Sequence, residues 1–217
     1  MSAVVVSGVS VRLGSRTVLD RLDLDVGDGE VVALSGVNGT GKSTLLRCLS
    51  GLLSPTAGTV RVWGAPPDGR PGFWRTVGLA AEEPAWYPGL TAREHLDLVR
   101  LTHEPLPGPS ASVDELLDVF ELGGHADASP LTLSSGQRQR LALAAVWARP
   151  SRLLLLDEPE QKLDQQFRGV LAGMLRQYAD GGGTVVLATH DPVLAAAAGA
   201  RVLAMSGGRL EGAVASA

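Results

Sequence analysis

Apolar and polar positions alternate in short runs along the first part of the chain. Runs at residues 4–6, 9–11 and 22–26 follow the period of two that is typical of β-strands. Glycine-containing turns between the runs break the pattern into separate strands. The pattern therefore predicts an antiparallel β layer at the start of the chain.

Later in the chain, short apolar runs alternate with stretches of helical periodicity. Strands are predicted at residues 31–34, 59–63, 76–81, 152–156, 184–188 and 201–205. Helices are predicted at residues 45–49, 163–178 and 192–198. Residues 153–156 are all leucine, and an uninterrupted apolar run is typical of a strand buried on both faces. The alternation predicts an α/β fold with a mainly parallel sheet and right-handed crossovers.

Helix-forming residues dominate the middle of the chain, where β-branched runs disappear. Apolar residues within positions 113–120 are spaced as on one face of a helix, with acidic residues between them. We therefore expect a single domain over residues 1–217, with an α/β core at about residues 1–82 and 150–217. A helical subdomain at about residues 83–149 is expected to be inserted into that core.

The composition is that of an ordinary globular protein, because 45% of the 217 residues are hydrophobic and 19% are charged. The formal net charge of −4 and the lack of a run of Lys and Arg argue against a nucleic-acid partner. The N-terminus has no basic stretch typical of a signal peptide, and no segment approaches the ~18 apolar residues of a membrane span. We therefore expect a cytoplasmic protein, with its single cysteine, Cys48, in the core.

A glycine-rich loop lies between the predicted strand at residues 31–34 and the helix that follows. It fits the phosphate-binding pattern G-x-x-x-x-G-K-[ST] at every fixed position. The loop consists of Gly36, Val37, Asn38, Gly39, Thr40, Gly41, Lys42, Ser43 and Thr44. In this motif the lysine reaches the β- and γ-phosphates of a nucleotide, and the hydroxyl of Ser43 would bind Mg²⁺. A turn that matches by chance is the alternative, and the strand–loop–helix context argues against it.

Two acidic residues, Asp157 and Glu158, directly follow the leucine strand. Because ligands of parallel sheets bind at the carboxyl ends of strands, both carboxylates should emerge beside the phosphate-binding loop. Two adjacent acids there are unfavourable unless a cation or a reaction uses them. We expect Asp157 to hold Mg²⁺ and Glu158 to orient or deprotonate an attacking water. The alternative is a helix N-terminus, whose dipole also favours acidic residues.

His190 follows the strand predicted at residues 184–188 in the same way. A histidine at the carboxyl end of a strand can contact a γ-phosphate or the attacking water. It could then sense whether the third phosphate is present. A plain loop or capping residue is the alternative, and the position of one histidine does not decide between the two.

A second candidate anion site lies at the start of a predicted helix, where Ser134, Ser135 and Gly136 are followed by Gln137. Backbone N–H groups at such a helix start can form a nest for an anion. The alternative is an ordinary serine N-cap before an amphipathic helix, which is common. The order and spacing of the motifs along the chain favour the anion site.

Over about residues 4–208, these motifs resemble those of the nucleotide-binding domains of ABC transporters. GVNGTGKST resembles the Walker A loop, LSSGQ the signature motif (usually LSGGQ), LLLLDEP the Walker B strand, and the histidine of ATHD the switch histidine. The resemblance implies a P-loop NTPase core with a mainly parallel sheet, an N-terminal antiparallel β layer and an inserted helical subdomain. It also implies ATP and Mg²⁺ as cofactors and ATP hydrolysis, with Glu158, His190 and Lys42 as catalytic residues.

The same resemblance implies a head-to-tail dimer with two ATP molecules between the subunits. The Walker A loop of one chain would face Ser134, Ser135 and Gly136 of the other. The partner would be a second ATP-binding subunit, in a homodimer or a heterodimer. We expect the dimer to be peripheral on the cell membrane and to power transport through transmembrane permease subunits. The short chain, with nothing substantial after Gly208, shows no sign of a regulatory domain. Its shortness, the loop at Glu82 and the DEP strand resemble exporter-type subunits more than importers, so we expect export.

Three positions depart from the family pattern. Leu13 stands where an aromatic residue commonly stacks on adenine; leucine can cover the base without stacking, so we expect weak discrimination between ATP and GTP. Glu82 stands at the Q-loop glutamine, and glutamate can still meet Mg²⁺ although its charge repels the γ-phosphate. In the D-loop, Lys162 replaces the usual glycine near the expected dimer interface, while Asp164 keeps its place at the nucleotide site.

Two other functions fit parts of the sequence. One is a soluble ABC ATPase for translation or DNA repair, which would have no membrane partner. Translation-type members carry two such domains, and repair-type members insert a long coiled coil for which the segment between Lys42 and Ser134 is too short. The other is a small-molecule kinase, in which LSSGQ ahead of LLLLDEP would have no role.

Overall fold

A computed structural model describes residues 1–80, 85–103 and 111–211. The strands are β1 Ser2–Leu13, β2 Arg16–Gly27, β3 Val31–Ser35, β4 Ala57–Val62, β5 Val77–Ala80, β6 Leu153–Asp157, β7 Thr184–Ala188, β8 Arg201–Ser206 and β9 Arg209–Glu211. The helices are α1 Lys42–Leu49, α2 Pro71–Trp74, α3 Ala92–Leu101, α4 Val113–Val119, α5 Ser135–Trp147, α6 Gln165–Asp180 and α7 Pro192–Ala197. Two sheets organise these elements, one antiparallel and one mainly parallel.

The antiparallel sheet has the strand order β2-β1-β4, as predicted for the start of the chain. The runs predicted as two strands at residues 4–6 and 9–11 belong to the single strand β1. The pairing of β1 with β2 shifts register between Val6 and Val9, so the strand continues through an irregularity. A bulge is needed here: Val6 and Val9 are an odd number of positions apart, yet both are buried. Gly8, at φ +57°, supplies the left-handed backbone within the bulge.

The mainly parallel sheet has the order β5-β6-β7-β3-β8-β9, and its β8–β9 pair is antiparallel. The leucine strand β6 is buried on both faces, as predicted. Leu154 and Leu156 join an apolar cluster with helices α4 to α6, whereas Leu153 and Leu155 join a second cluster with α1 and the antiparallel sheet. Strand β3 lies near the centre of the sheet, so the loop that follows it starts from a rigid position.

Helices α3, α4 and α5 follow β5 in the chain and precede β6. Each begins at a capping box, in which the first side chain and the side chain three residues later bond each other's backbone N–H. The ring of Phe120, at the end of α4, lies 5.8 Å from Trp147 and 5.9 Å from Phe167 between ring centroids. These contacts pack the helices onto α6. The division into a core and a helical subdomain at residues 83–149 stays a prediction.

Some local expectations differ from the structure. The apolar periodicity of residues 163–178 predicts that Val170 lies on the buried face of that helix, but Val170 is 37% exposed. The short elements α2 and β9 were not predicted. With four residues, α2 is too short to show a periodicity, and two of the three residues of β9 are charged. In the part of the chain that the structure describes, we find no helix with the length and apolar character that a bilayer span requires.

Phe167 offers a direct test of this packing. Its side chain is fully buried, and the guanidinium of Arg140 lies 4.2 Å from its ring centroid. Because truncation leaves a cavity, Phe167→Ala should lower the free energy of unfolding by about 3–5 kcal/mol in urea denaturation. Val193→Ala, at a residue 74% exposed, is the control and should change it by less than ~0.5 kcal/mol. Equal effects of the two substitutions would contradict the packing.

Candidate nucleotide-binding site

The loop after β3 passes between β2 and β8 at very close range. A Cβ atom added to Gly36 would lie 2.3 Å from the carbonyl oxygen of Met205, on β8. A Cβ atom added to Gly41 would lie 2.7 Å from a methyl carbon of Leu19, on β2. Gly41 also has φ +109°, a conformation that other residues rarely adopt. Gly36 is therefore required by the close approach of the backbone of β8, and Gly41 mainly by its backbone conformation.

The side chain of Lys42 folds back over this loop. Its Nζ atom donates hydrogen bonds to the carbonyl oxygens of Gly36 (2.6 Å) and Val37 (3.3 Å), and the residue is only 5% exposed. Helix α1 begins at the same residue, and its N-cap, Gly41, supplies no side-chain acceptor to the first turn. A nearly buried ammonium and the N–H groups of a helix start thus face the same place, which favours an anion there.

A cleft of about 400 Å³ lies against the loop. It is lined by Leu13, Arg16, Val18, Asn38, Gly39, Gly41, Lys42, Ser43, Thr44, Asp157, Glu158 and Gln161. The structure thus brings together the loop, the acid pair after β6 and Leu13, which the sequence analysis placed at one site. Arg16, Val18 and Gln161 were not predicted, although each lies within a few residues of a residue that was.

The acid pair is held at the end of β6. Glu158 has φ +47°, which is strained for a residue with a side chain. Its Oε2 atom accepts a hydrogen bond from Gln161 Nε2. Asp157 and Ser43 line the same cleft, and such oxygen ligands suit Mg²⁺. Among the described residues we find no group of three or more His, Cys, Asp or Glu side chains placed to hold a metal.

His190 lies beside this acid pair. Its Nδ1 atom is 3.7 Å from Glu158 Oε1 and 3.8 Å from Glu160 Oε1. The histidine side chain is 59% exposed, whereas that of Glu160 is 2% exposed. The proximity of His190 and Glu158 agrees with the sequence analysis. Glu160 was not predicted, because its contacts are with residues about thirty positions later in the chain.

The second candidate site, at Ser134, Ser135, Gly136 and Gln137, lies at the start of α5, and none of these four residues lines the cleft. Ser134 is the N-cap of α5, and its hydroxyl accepts from the N–H of Gln137 at 3.2 Å. Gln137 Oε1 accepts from the N–H of Ser134 at 2.8 Å. The simple capping interpretation is thus satisfied within one chain, and an anion-binding role stays a prediction.

The D-loop packs against this helix start. A Cβ atom on Gly136 would lie 2.8 Å from the carbonyl oxygen of Lys162. Lys162 has φ +63°, which explains why glycine is usual at this position. Asp164 caps α6 and accepts from Arg140 Nη2 at 2.6 Å. The hydrogen bond from the N–H of Phe167 is the main cause that lowers the pKa of Asp164 below its usual value, and the positive charge of Arg140 lowers it further. Glu82, the predicted Q-loop residue, lies outside the described residues.

Comparison with known proteins agrees with this geometry. The family model for ABC transporters matches residues 19–161, which is more than half of the chain. The chain therefore belongs to the ABC transporter family, as the motifs indicated. The match extends from the middle of the first hairpin through the phosphate-binding loop, the signature segment and the acid pair.

Two solved structures share the fold. One is an ATP-binding subunit of an ABC transporter, with a TM-score of 0.84 and 26% identity, covering 96% of this chain and 88% of that one. The other is a dimeric ATP-binding cassette in a post-hydrolysis state with bound ADP and phosphate. It has the same TM-score of 0.84 and 26% identity and covers 96% of each chain. These likenesses confirm the predicted P-loop NTPase fold class.

Two curated relatives are similar over 96% of this chain. The sulfate/thiosulfate import ATP-binding protein CysA of Mycobacterium tuberculosis is 37% identical, and the Fe(3+) ions import ATP-binding protein FbpC of Streptomyces coelicolor is 39% identical. The chain spans only 60% and 61% of the lengths of these relatives. Both relatives are named as import proteins, so they do not support the export direction that the sequence analysis favoured.

The close approach of the loop to β8 can be tested by one methyl group. Gly36→Ala places that methyl against the carbonyl of Met205, so the loop or the strand must shift. We expect the free energy of unfolding to fall by about 1–3 kcal/mol in chemical denaturation.

The matched control is Gly173→Ala, in α6, where nothing lies within 4 Å of an added methyl. That substitution should be neutral or stabilise the protein by up to ~1 kcal/mol, because alanine is the better helix former. Wild-type stability of Gly36→Ala would contradict the close approach.

Proposed function

We propose that this chain is the ATP-binding and ATP-hydrolysing subunit of an ABC transporter, which powers transport through separate membrane subunits. The observation that carries the proposal is the cleft in which Lys42 and Ser43 of the phosphate-binding loop meet the acid pair Asp157 and Glu158. A chain of this family with an anion-binding loop and a carboxylate in one cleft has the groups that hydrolysis of a nucleotide requires.

We assign roles to the residues that would bind the phosphates and carry out hydrolysis. Backbone N–H groups of the loop and the ammonium of Lys42 would hold the β- and γ-phosphates. Ser43 and Asp157 would hold Mg²⁺, which when bound neutralises charge on the phosphates. Glu158 would accept the proton of the attacking water, since its carboxylate lies in the same cleft. His190, beside Glu158, would contact the γ-phosphate or the attacking water.

We also propose that a second chain completes the nucleotide-binding site. None of the residues Ser134, Ser135, Gly136, Gln137 and Asp164 lines the chain's own cleft, and they would contact the nucleotide held by a partner. The dimeric cassette with bound ADP and phosphate supports this arrangement. A homodimer and a heterodimer both satisfy it. The dimer would be peripheral on the cytoplasmic face of the membrane, and the segment at residues 83–149 would be its helical subdomain.

The names of the relatives support a proposal about the direction of transport. We propose import in place of export, because CysA and FbpC are both named as import proteins. Their substrates, sulfate or thiosulfate and Fe³⁺, share no chemistry, so they fix no substrate for this chain.

We propose that the cleft discriminates only weakly between adenine and guanine nucleotides. Leu13 is 52% exposed and lines the cleft together with Val18 and Arg16, so an aliphatic and cationic surface is offered to the base. None of these three residues has an aromatic ring. GTP should therefore compete with ATP at similar concentrations, and a strong preference for ATP in that competition would exclude the idea.

The proposed base can be tested by a substitution that keeps its shape. Glu158→Gln should lower kcat for ATP by at least about 100-fold, because an amide cannot accept the proton of the attacking water. ATP binding and ATP-induced dimerisation should remain, since the phosphate-binding loop is unchanged. Phosphate release gives kcat, and size-exclusion chromatography with ATP gives the dimer.

Glu94→Gln is the control, at an exposed glutamate in the capping box of α3. It should leave kcat within ~2-fold, because exposed surface substitutions act locally. Hydrolysis by Glu158→Gln at close to the wild-type rate would show that another group is the base.

A further inference from the structure

Glu160 is a buried acid for which the proposed mechanism has no use. The residue is 1% exposed. Its Oε1 atom accepts hydrogen bonds from Thr189 Oγ1 (2.5 Å) and from the backbone N–H of His190 (3.3 Å). Its Oε2 atom is buried and has no hydrogen-bond partner in the part of the chain that the structure describes. Burying a carboxyl group with one unpaired oxygen is unfavourable, so stability does not explain why an acid is present.

The surroundings of Glu160 are fixed to the centre of the sheet. Thr189, which bonds Glu160, is 2% exposed, and its N–H donates to the carbonyl of Leu34 on β3 at 3.1 Å. Strand β3 leads directly into the phosphate-binding loop. The bond between Glu160 and Thr189 therefore ties the segment after β6 to the strand that positions the phosphates.

His190 lies between two carboxyl groups. Glu158 Oε1 and Glu160 Oε1 are 3.7 and 3.8 Å from the same ring nitrogen, Nδ1. These distances exceed a hydrogen bond, so the interaction is electrostatic attraction. Negative oxygens on one side of the ring favour the tautomer that carries its proton on Nδ1. The other ring nitrogen, Nε2, is then the one left for a ligand.

The two acids are not equivalent. Glu158 lines the cleft, bonds Gln161 and is the proposed base, so its carboxylate must respond to the reaction. Glu160 is fixed by Thr189 and by the backbone of His190 and stays in place. A fixed acid is the better device for holding the histidine, because its oxygens do not move when the reaction proceeds.

We propose that Glu160 is a positioning residue for His190. It holds the backbone N–H of the histidine and faces Nδ1, so that the ring keeps its proton on Nδ1 and Nε2 accepts a hydrogen bond from the attacking water. The inference rests on the proposed function, namely ATP hydrolysis with His190 at the attacking water. It adds a residue that touches neither nucleotide nor water and acts through the histidine alone.

A double-mutant cycle tests the dependence on His190. Glu160→Gln keeps the shape and one accepting oxygen but removes the charge, and it should lower kcat about 10-fold with KM for ATP changed less than ~2-fold. In a His190→Ala background the same substitution should change kcat by less than ~2-fold, because the residue through which it acts is gone. A loss of equal size in both backgrounds would overturn the proposal.

The control is Glu30→Gln, another glutamate that bonds the backbone, at 2.7 Å from the N–H of Gly27, and pairs with Arg201. It precedes β3, at the opposite end of that strand from the phosphate-binding loop. We expect kcat within ~2-fold of wild type, since it is remote from the cleft. Loss of kcat in this variant as large as in Glu160→Gln would also count against a specific role.

The tautomer of the His190 ring can be measured directly in the wild-type protein, without an activity assay. Nitrogen-15 NMR of the His190 ring at about pH 8, where a histidine is mostly neutral, should show the proton on Nδ1. A wild-type ring protonated on Nε2 would overturn the proposal. In Glu160→Gln the population of the Nδ1 tautomer should fall. If wild type failed to hydrolyse ATP, the proposed function would fail, while the ring tautomer would still decide the placement of His190.

Discussion

The buried ammonium of Lys42 is the feature on which the rest of the site depends. It is satisfied by the carbonyl oxygens of Gly36 and Val37, from its own loop, which is possible only because the loop folds tightly between β2 and β8. A charge in this position is unfavourable to bury unless it is hydrogen-bonded. The two sheets, the glycines and the start of α1 together create the place in which that charge can be held and can meet an anion.

The second organising feature is the separation of the signature segment from the cleft. The start of α5 and the D-loop form one packed unit, joined by the contact of Gly136 with Lys162 and by the ion pair of Arg140 with Asp164. That unit presents Ser134 and Ser135 to the exterior. In the proposed dimer, the phosphate-binding loop of one chain and the outward-facing signature segment of the other would together form one nucleotide site.

Much of the site could be predicted from the sequence because its parts are adjacent to strands. Asp157 and Glu158 follow a strand whose four leucines mark it as buried, so their position at the sheet edge follows from topology. Glu160 and Gln161 could not be assigned, because their partners are set by tertiary packing. The left-handed backbone of Lys162 and the bulge between Val6 and Val9 are likewise consequences of packing. The direction of transport has no residue pattern in these motifs, and the export expectation was not supported.

The central claim is that this chain powers a membrane transporter by hydrolysing ATP. Its most direct test is purification of the tagged chain from detergent-solubilised membranes of the cells that produce it, followed by identification of the proteins that remain bound. The account predicts a stoichiometric partner with several membrane spans. A chain found only in the soluble fraction, with ribosomes, DNA-repair factors or nothing bound, would contradict it.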